Sequence, residues 1–375
     1  RWKRGAMLPQ AATDDQPGAG QARRPPLAFT PRHLAASQMK TLLDRIPTLI
    51  ALLRRYPGLV ALFGFCSGVA SFLLVDRQAH LAKVLGVVLL VSWVWLILEN
   101  LLRERIARRF GFELPLPLLR YGTQMIHQES LFFVLPFFFI TTTWNSGQLL
   151  FSGLLAIAAL ASITDPIYYR WLAPRRWLLL IFHSLALFAV MLTALPIIFH
   201  LSTPQSYRIA LLIATVLALP SLPGLIGFAG WRRIVLLAAL PLAMASAGWM
   251  ARSWVPPATL WLTEVAISDH FDGAQRTPGE SLQQIRPEQL RDDGLYAYTS
   301  INAPRGLNER IYHVWQHNGR EVDRIALDIN GGRKEGYRAW THKQNFPGEP
   351  AGNWQVQVLT EAGQMIGVLR FKVAE

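Results

Sequence analysis

Cysteine is nearly absent: Cys66 is the only one in 375 residues. An intramolecular disulfide is therefore excluded. Any domain outside the cell must fold on its own core, even where an oxidising compartment would permit bridges. Charge is also scarce, at 16% of residues, where soluble proteins carry about 25%. The chain has no nucleophile elbow, no phosphate loop, no paired catalytic carboxylates and no zinc-ligand spacing. These absences imply no cofactor and no metal, and they make a membrane enzyme only a third reading. No cleavable signal is visible either. The first apolar run begins near Pro57 without a small-residue cleavage site, and Met7 is a candidate start.

What the chain has in excess is apolar residues, 51% of the total, concentrated between Pro57 and Trp254. A membrane helix needs about 20 mostly apolar residues. Seven runs are candidates: about 57–75, 81–102, 126–144, 148–164, 177–199, 207–228 and 231–252. The fourth is short and the sixth is broken by Pro220 and Pro223, so the range is six or seven. The net charge of +13 suggests nucleic acid only until it is divided. Residues 1–256 carry an excess of fifteen positive charges and residues 257–375 an excess of two negative ones. The basicity belongs to the apolar half and follows its loops. Arg54 and Arg55, then Arg103, Arg105, Arg108, Arg109 and Arg120, then Arg170, Arg175 and Arg176, then Arg232 and Arg233 fall on alternate sides of the spans. The intervening loops hold little more than Asp76-Arg77, Trp144 to Gly147, and Arg208. Cytoplasmic loops retain Lys and Arg. The pattern expects a membrane protein with its N-terminus in the cytoplasm and its C-terminal domain outside, which requires an odd number of spans.

Residues 1–32 are rich in Ala, Gly, Pro, Gln and Arg and read as a disordered cytoplasmic tail. Over 33–55, Leu34, Met39, Leu42, Leu43, Ile46, Leu49, Ile50 and Leu53 recur at helical spacing between basic residues. This is an amphipathic helix, either lying on the anionic inner leaflet or leading into the first span. The transmembrane domain occupies 56–256, and past Pro256-Pro257 the pattern changes to short alternating runs. Seven strands are expected in 257–375, with Asn318-Gly319 as a tight hairpin turn. An all-β immunoglobulin-like sandwich, folding as an independent domain, is the simplest solution. Residues 272–292 read as a long loop or short helix.

Tyr296-x-Tyr298-Thr299, His313-x-Trp315, Gly319, Leu327, Arg338-x-x-Thr341, Gly352-x-Trp354-x-Val356-x-Val358, Gly363 and Phe371 resemble the C-terminal domain-of-unknown-function family 2914. That family is bacterial and often follows a multi-pass membrane segment. Glu129 to Phe137 and Asp165-Pro166-Ile167 are similar to the membrane half of such proteins. The whole chain resembles a gammaproteobacterial subset whose membrane region is itself an uncharacterised family. Thr341 replaces a serine frequent in the family and keeps the hydroxyl. The resemblance implies a fold and a location and no activity.

Ionisable groups inside the spans are the first functional candidates, because a charge in lipid costs several kcal/mol unless paired or hydrated. Glu99 and Asn100 end the second span, His127 and Glu129 open the third, Asp165 ends the fourth, and His183 lies early in the fifth. The charge-derived orientation puts all five ionisable groups on the cytoplasmic side. Glu129, Asp165 and His183 are expected to meet there. The alternative is that they are interfacial side chains paired with Arg103, Arg170 or Arg176. Pro220 to Gly224 either breaks or kinks the sixth span, and Gly64-x-x-x-Gly68 suits close helix packing. In the tail, His313 and His317 share a strand face but stand about 13 Å apart, so one metal would need a bulge. Trp315 and Trp354 are expected in the core. Arg338 and Trp340 alternate with Tyr337 and Ala339 and are expected to form an exposed binding face.

Two readings follow. The first is a non-enzymatic inner-membrane protein that displays a periplasmic immunoglobulin-like module to an envelope protein or glycan. Its partners are the lipid bilayer and that ligand, with no nucleic acid. The second is a transporter or lipid-handling protein that uses the membrane polar cluster.

Overall fold

The computed structural model describes residues 116–219, 230–292 and 294–374, together with Arg55, Leu62, Cys66, Ser67, Ala70, Val84, 87–94 and Leu222. The N-terminal tail, the amphipathic helix, Glu99, Asn100, the Gly64/Gly68 pair, Pro220 and Pro223 lie outside the described residues. So does most of the first two expected spans. Residues 56–375 form one compact unit, divided from residues 1–55.

The helical part comprises α1 (Leu116–Thr141), α2 (Gln148–Ile163), a short α3 (Asp165–Ile167) running into a π turn (Tyr168–Leu172), α4 (Arg176–Phe199), α5 (Thr203–Ala218) and α6 (Trp231–Met250) with a closing 3-10 turn (Ala251–Trp254). Pro166 follows Asp165 at the first turn of α3, where its missing N–H costs nothing, and the chain bends by 93° there. Ser202 caps α5 through a capping box with Gln205, and Pro204 sits in its first turn. α4 lies at the centre: Ala186, Leu187, Ala189 and Val190 are buried, and α1 and α5 flank it. α6 is the opposite case, apolar along its length with no buried residue.

Among the described residues, two helices are long and apolar enough to cross a membrane, Arg176–Phe199 and Trp231–Trp254. The bent pair Gln148–Ile163 and Asp165–Leu172 makes a third if it counts as one span. The expected seven spans are therefore not supported. α1 begins ten residues before the expected run, and its first half carries Gln124, His127, Gln128 and Glu129. These polar residues do not end the helix, because Gln124, His127 and Gln128 turn inward and are buried. α5 has only 16 residues.

The C-terminal part is all β apart from one short helix. Its strands are β1 (Trp261–Ser268), β2 (Phe271–Asp272), β3 (Thr277–Pro278), β4 (Gln284–Ile285), β5 (Leu295–Asn302), β6 (Asn308–His317), β7 (Arg320–Asn330), β8 (Tyr337–Lys343), β9 (Gly352–Thr360) and β10 (Met365–Val373), with α7 (Pro287–Asp292) before β5. One sheet has the order β1-β5-β8, a second β4-β10-β9-β6-β7, and β2 pairs with β3 alone. The inward faces of the two larger sheets share one core that includes Leu260, Ala297, Ile301, Val356, Val358 and Leu369. Trp315 and Trp354 are buried in it, as their alternation implied. Asn318 and Gly319 take φ of 49° and 81°, the left-handed pair a two-residue hairpin turn requires. Residues 272–292 are more ordered than a loop: they supply the β2–β3 ribbon, β4 and α7. Two-residue strands are too short to alternate, so no sequence period marks them.

The β part does not stand apart from the helices. Gln148 Nε2 donates to the Met365 carbonyl at 2.8 Å, and the Thr203 amide donates to Glu309 Oε2 at 2.6 Å. Arg252 Nε donates to the Ala362 carbonyl at 3.1 Å, and Gln364 Nε2 to the Val255 carbonyl at 2.9 Å. The start of β6 and the β9–β10 hairpin therefore seat on the Trp144–Gly147 end of α2, the α4–α5 turn and the end of α6. The β part is thus bonded to the helix ends.

Candidate functional site

α1 presents Gln124, His127 and Gln128 at helical spacings of three and four, which places them on one face. That face meets the π turn and the first half of α4. His127 is fully buried. Its Nδ1 lies 3.0 Å from the Tyr168 hydroxyl, and its Nε2 lies 3.0 Å from His183 Nδ1. A neutral imidazole has one donor and one acceptor. The three groups can therefore run in one direction, with Tyr168 donating to His127 and His127 donating to His183, or in the reverse direction. Moving one proton through the chain exchanges the two arrangements.

Aromatic rings enclose the pair. The Trp93 ring sits edge-on to His183 at 4.5 Å and to His127 at 5.6 Å, and Phe182 stands 5.1 Å from His127. The Trp93 indole is itself satisfied, donating to Ser130 Oγ at 3.1 Å. One turn back along α1, Gln124 Nε2 donates to the Ser162 carbonyl and to Asp165 Oδ1, both at 3.0 Å. Asp165 is thus held beside the histidines without a hydrogen bond to them. Glu129 takes a different direction and accepts a bond from Ser67 Oγ at 3.0 Å.

The expected meeting of Glu129, Asp165 and His183 is therefore corrected. The pair that forms is His127 with His183, Asp165 takes Gln124 instead, Glu129 belongs to another helix contact, and Glu99 lies outside the described residues. The cause is helical phase. His127 and Glu129 are two residues apart and point about 200° away from each other around α1. Tyr168, Gln124 and Trp93 were missed. The triple spacing of Gln124, His127 and Gln128 could have marked the face, but nothing in the sequence marks Tyr168 as its partner.

On the β part, Arg338 and Trp340 do share the outer face of β8, opposite Ser300 and Tyr298. They are half-covered rather than open. Phe271 of the β2–β3 ribbon stacks on Trp340 at 4.6 Å and on Tyr296 at 5.5 Å, and Tyr296 stacks on His342 at 4.0 Å. Arg338 donates to the Gln275 carbonyl at 3.0 Å and pairs with Glu335 at 3.5 Å. His313 is buried between Thr299 and Thr341, 3.1 Å from each hydroxyl. His317 instead stacks on Trp354 at 4.5 Å. The two histidines thus take separate partners. No group of three His, Cys, Asp or Glu residues among the described residues could hold a metal.

Two family matches cover most of the chain. Residues 39–297 match the family of unknown function DUF5924, and residues 308–373 match the protein of unknown function DUF2914. The chain belongs to the DUF5924 family. Its match runs from the helices through β1–β4 and α7 into β5, and DUF2914 covers β6–β10 alone. The motif around Tyr296 to Thr299 therefore lies outside the DUF2914 match, contrary to the resemblance drawn from sequence. No curated protein and no solved structure matches the chain.

Proposed function

We propose that this is a multi-pass inner-membrane protein that holds a periplasmic immunoglobulin-like module against the outer ends of its helices, where the module binds an envelope protein or glycan. The observation that carries this reading is which helix ends the β part touches. It rests on the Trp144–Gly147 end of α2, the α4–α5 turn and the exit of α6, which are the arginine-poor ends. Arg170, Arg175, Arg176, Arg232 and Arg233 belong to the opposite ends of the same helices. The charge rule and the packing thus agree on one polarity. α6 adds to the argument. Trp231, Ile234, Val235, Leu242 and Met250 are each at least half exposed. So continuous an apolar surface suits lipid rather than water. The strand order β1-β5-β8 facing β10-β9-β6-β7, with β4 running parallel to β10, supports the immunoglobulin-like reading.

A C-terminal alkaline phosphatase fusion should be active in cells, and a green fluorescent protein fusion at the same point, exported by the same route, should be dark. The reverse pattern ends the reading. Photo-crosslinking residues placed at Arg338 and at Gln357, on the two outer faces, should trap a discrete envelope component. Crosslinks to lipid alone would leave no role for the module.

The Tyr168–His127–His183 chain favours a second reading, proton-linked transport or lipid handling through the helices. A three-group hydrogen-bonded chain among apolar side chains is a route for a proton. Purified protein in liposomes with an entrapped pH-sensitive dye should then dissipate an imposed pH gradient. His183→Asn should slow that dissipation by about tenfold, as loss of a positioned proton acceptor does. Equal rates in the parent protein and the variant dismiss this role and leave the chain structural.

A further inference from the structure

Among the described residues, four cations of the β part meet a carboxylate: Arg310 with Asp328 at 2.9 Å, Arg324 with Glu321 at 2.9 Å, Arg338 with Glu335 at 3.5 Å, and the buried Lys343 with Asp323 at 3.1 Å. Arg370 and Lys372 are not among them. They are alternate residues of β10, both exposed on its outer face, and neither has an acidic partner among the described residues. Same-face residues two apart on a strand stand about 6.6 Å from each other. Both cations border a cleft of about 810 Å³ that runs over the β9–β10 rim to the Asn318–Gly319 turn. Its volume lies within the roughly 300–1,000 Å³ typical of ligand clefts.

The other polar side chains of the lining are amides. Gln283, Asn318, Asn353 and Gln355 face the cleft, and no carboxylate does. Gln355 Nε2 donates to Gln316 Oε1 at 2.6 Å, which fixes the amide and leaves its carbonyl as an acceptor. Asn318 is held by its bond from the Asn353 amide at 3.0 Å. The floor offers no stacking platform, because His317 covers one face of Trp354 at 4.5 Å and Phe371 lies parallel to it at 6.0 Å. A ligand here meets two cations and a row of groups that both donate and accept. Amides suit hydroxyls, which also do both, and the cations suit carboxylates. An acidic peptide would also satisfy the cations but offers the amides only its backbone groups, whereas a sugar presents hydroxyls around most of its ring.

We propose that this cleft binds an acidic glycan, with uronate carboxylates on Arg370 and Lys372 and sugar hydroxyls on Gln283, Asn353 and Gln355. The inference rests on the module being a binding module and names its ligand class. The test is titration of the full chain in detergent at pH 7 with a galacturonic acid trisaccharide, a neutral galactose trisaccharide and a tri-glutamate peptide. The acidic sugar should bind saturably and the other two at least about tenfold more weakly, the neutral sugar for want of charge-assisted hydrogen bonds to Arg370 and Lys372 and the peptide for want of hydroxyls to meet the amides. The double change Arg370→Glu and Lys372→Glu should abolish binding. Arg310→Glu, at the opposite end of the same outer face, should leave it unchanged. Gln355→Ala preserves the charge and should still weaken the sugar about threefold, roughly one neutral hydrogen bond, without affecting the peptide. Melting temperatures of all variants check folding.

Absence of sugar binding, or binding that survives the double change, overturns the proposal. Equal binding of tri-glutamate overturns it as well, since charge alone would then explain the affinity. None of these results touches the topology fusions or the crosslinks from Arg338 and Gln357. Failure of the cleft is therefore distinguishable from failure of the module reading.

Discussion

Replacing His313 by Ala should destabilise the β part by about 3–5 kcal/mol, the sum of a buried cavity and two hydroxyls that lose a partner. The imidazole has no exposed surface and bridges the two sheets. A single direction of donation satisfies every group around it. The Trp315 indole donates to Thr341 Oγ1 at 3.4 Å, Thr341 donates to His313 Nδ1, His313 Nε2 donates to Thr299, and Thr299 donates to the Ala339 carbonyl at 3.3 Å. The chain works only with a neutral ring, and burial pushes the His313 pKa down from 6.5 to about 4. In the unfolded chain the ring binds a proton near pH 6.5, and in the fold it does not until about pH 4. The unfolded state therefore holds more protons across that window, and stability falls as pH is lowered through it. The fall amounts to on the order of 3 kcal/mol. His313→Gln keeps a donor and an acceptor but does not titrate. Denaturant melts of the full chain at pH 4.5 and 7, followed by tryptophan fluorescence, should show His313→Gln gaining stability relative to the parent on acidification. A difference between variant and parent that is the same at both pH values would refute the assignment to His313.

The sequence carried the fold further than it carried the sites. Seven β-strands were readable because side chains alternate wherever one sheet face is buried and the other is not, as in Trp354, Val356 and Val358. The α4 run was readable because a long apolar stretch has few alternatives. α1 was misjudged because hydropathy treats Gln124 and His127 as polar ends, whereas a helix can turn them inward if another element offers partners. Gln124 finds its partners in the Ser162 carbonyl and Asp165, and His127 in Tyr168, on the π turn that follows the bend at Pro166. Periodicity gives the face a residue occupies, not the neighbour that face meets. The same limit applies to Trp340, which alternation placed outside but which the β2–β3 ribbon roofs. Glu309 shows it most sharply. In the run Asn308-Glu309-Arg310 it has the composition of a solvated strand end, yet it is 4% exposed. Only the capping geometry of α5, more than a hundred residues earlier, makes it a buried group.

Glu309 should give the docking of the β part onto the helices a pH dependence opposite to that of His313. Its Oε2 accepts the Thr203 amide at 2.6 Å, at the first residue of α5, where unpaired N–H groups favour an anion. Its Oε1 is buried with no hydrogen-bond partner among the described residues, and Glu361 adds repulsion. Burial outweighs the amide and pushes the Glu309 pKa up from 4.5 to about 7. Between those values the folded carboxyl holds a proton that the unfolded one has lost. Stability is then greatest below pH 4.5 and falls as pH rises through 7, again by on the order of 3 kcal/mol. Over pH 4.5–6.5 this slope offsets that of His313, so the parent chain should show a nearly flat profile that each variant uncovers. Glu309→Gln keeps an oxygen for the Thr203 amide and removes the charge. It should therefore be more stable than the parent at pH 8 and indistinguishable from it near pH 4.5. Hydrogen exchange at the first turn of α5 separates docking from global unfolding, since protection there should decline from pH 6 to 8 in the parent, after correction for intrinsic rates, and persist in the variant. Parallel profiles for the two proteins would mean that the carboxylate is ionised in the interface after all, held by the α5 amides strongly enough to overcome burial.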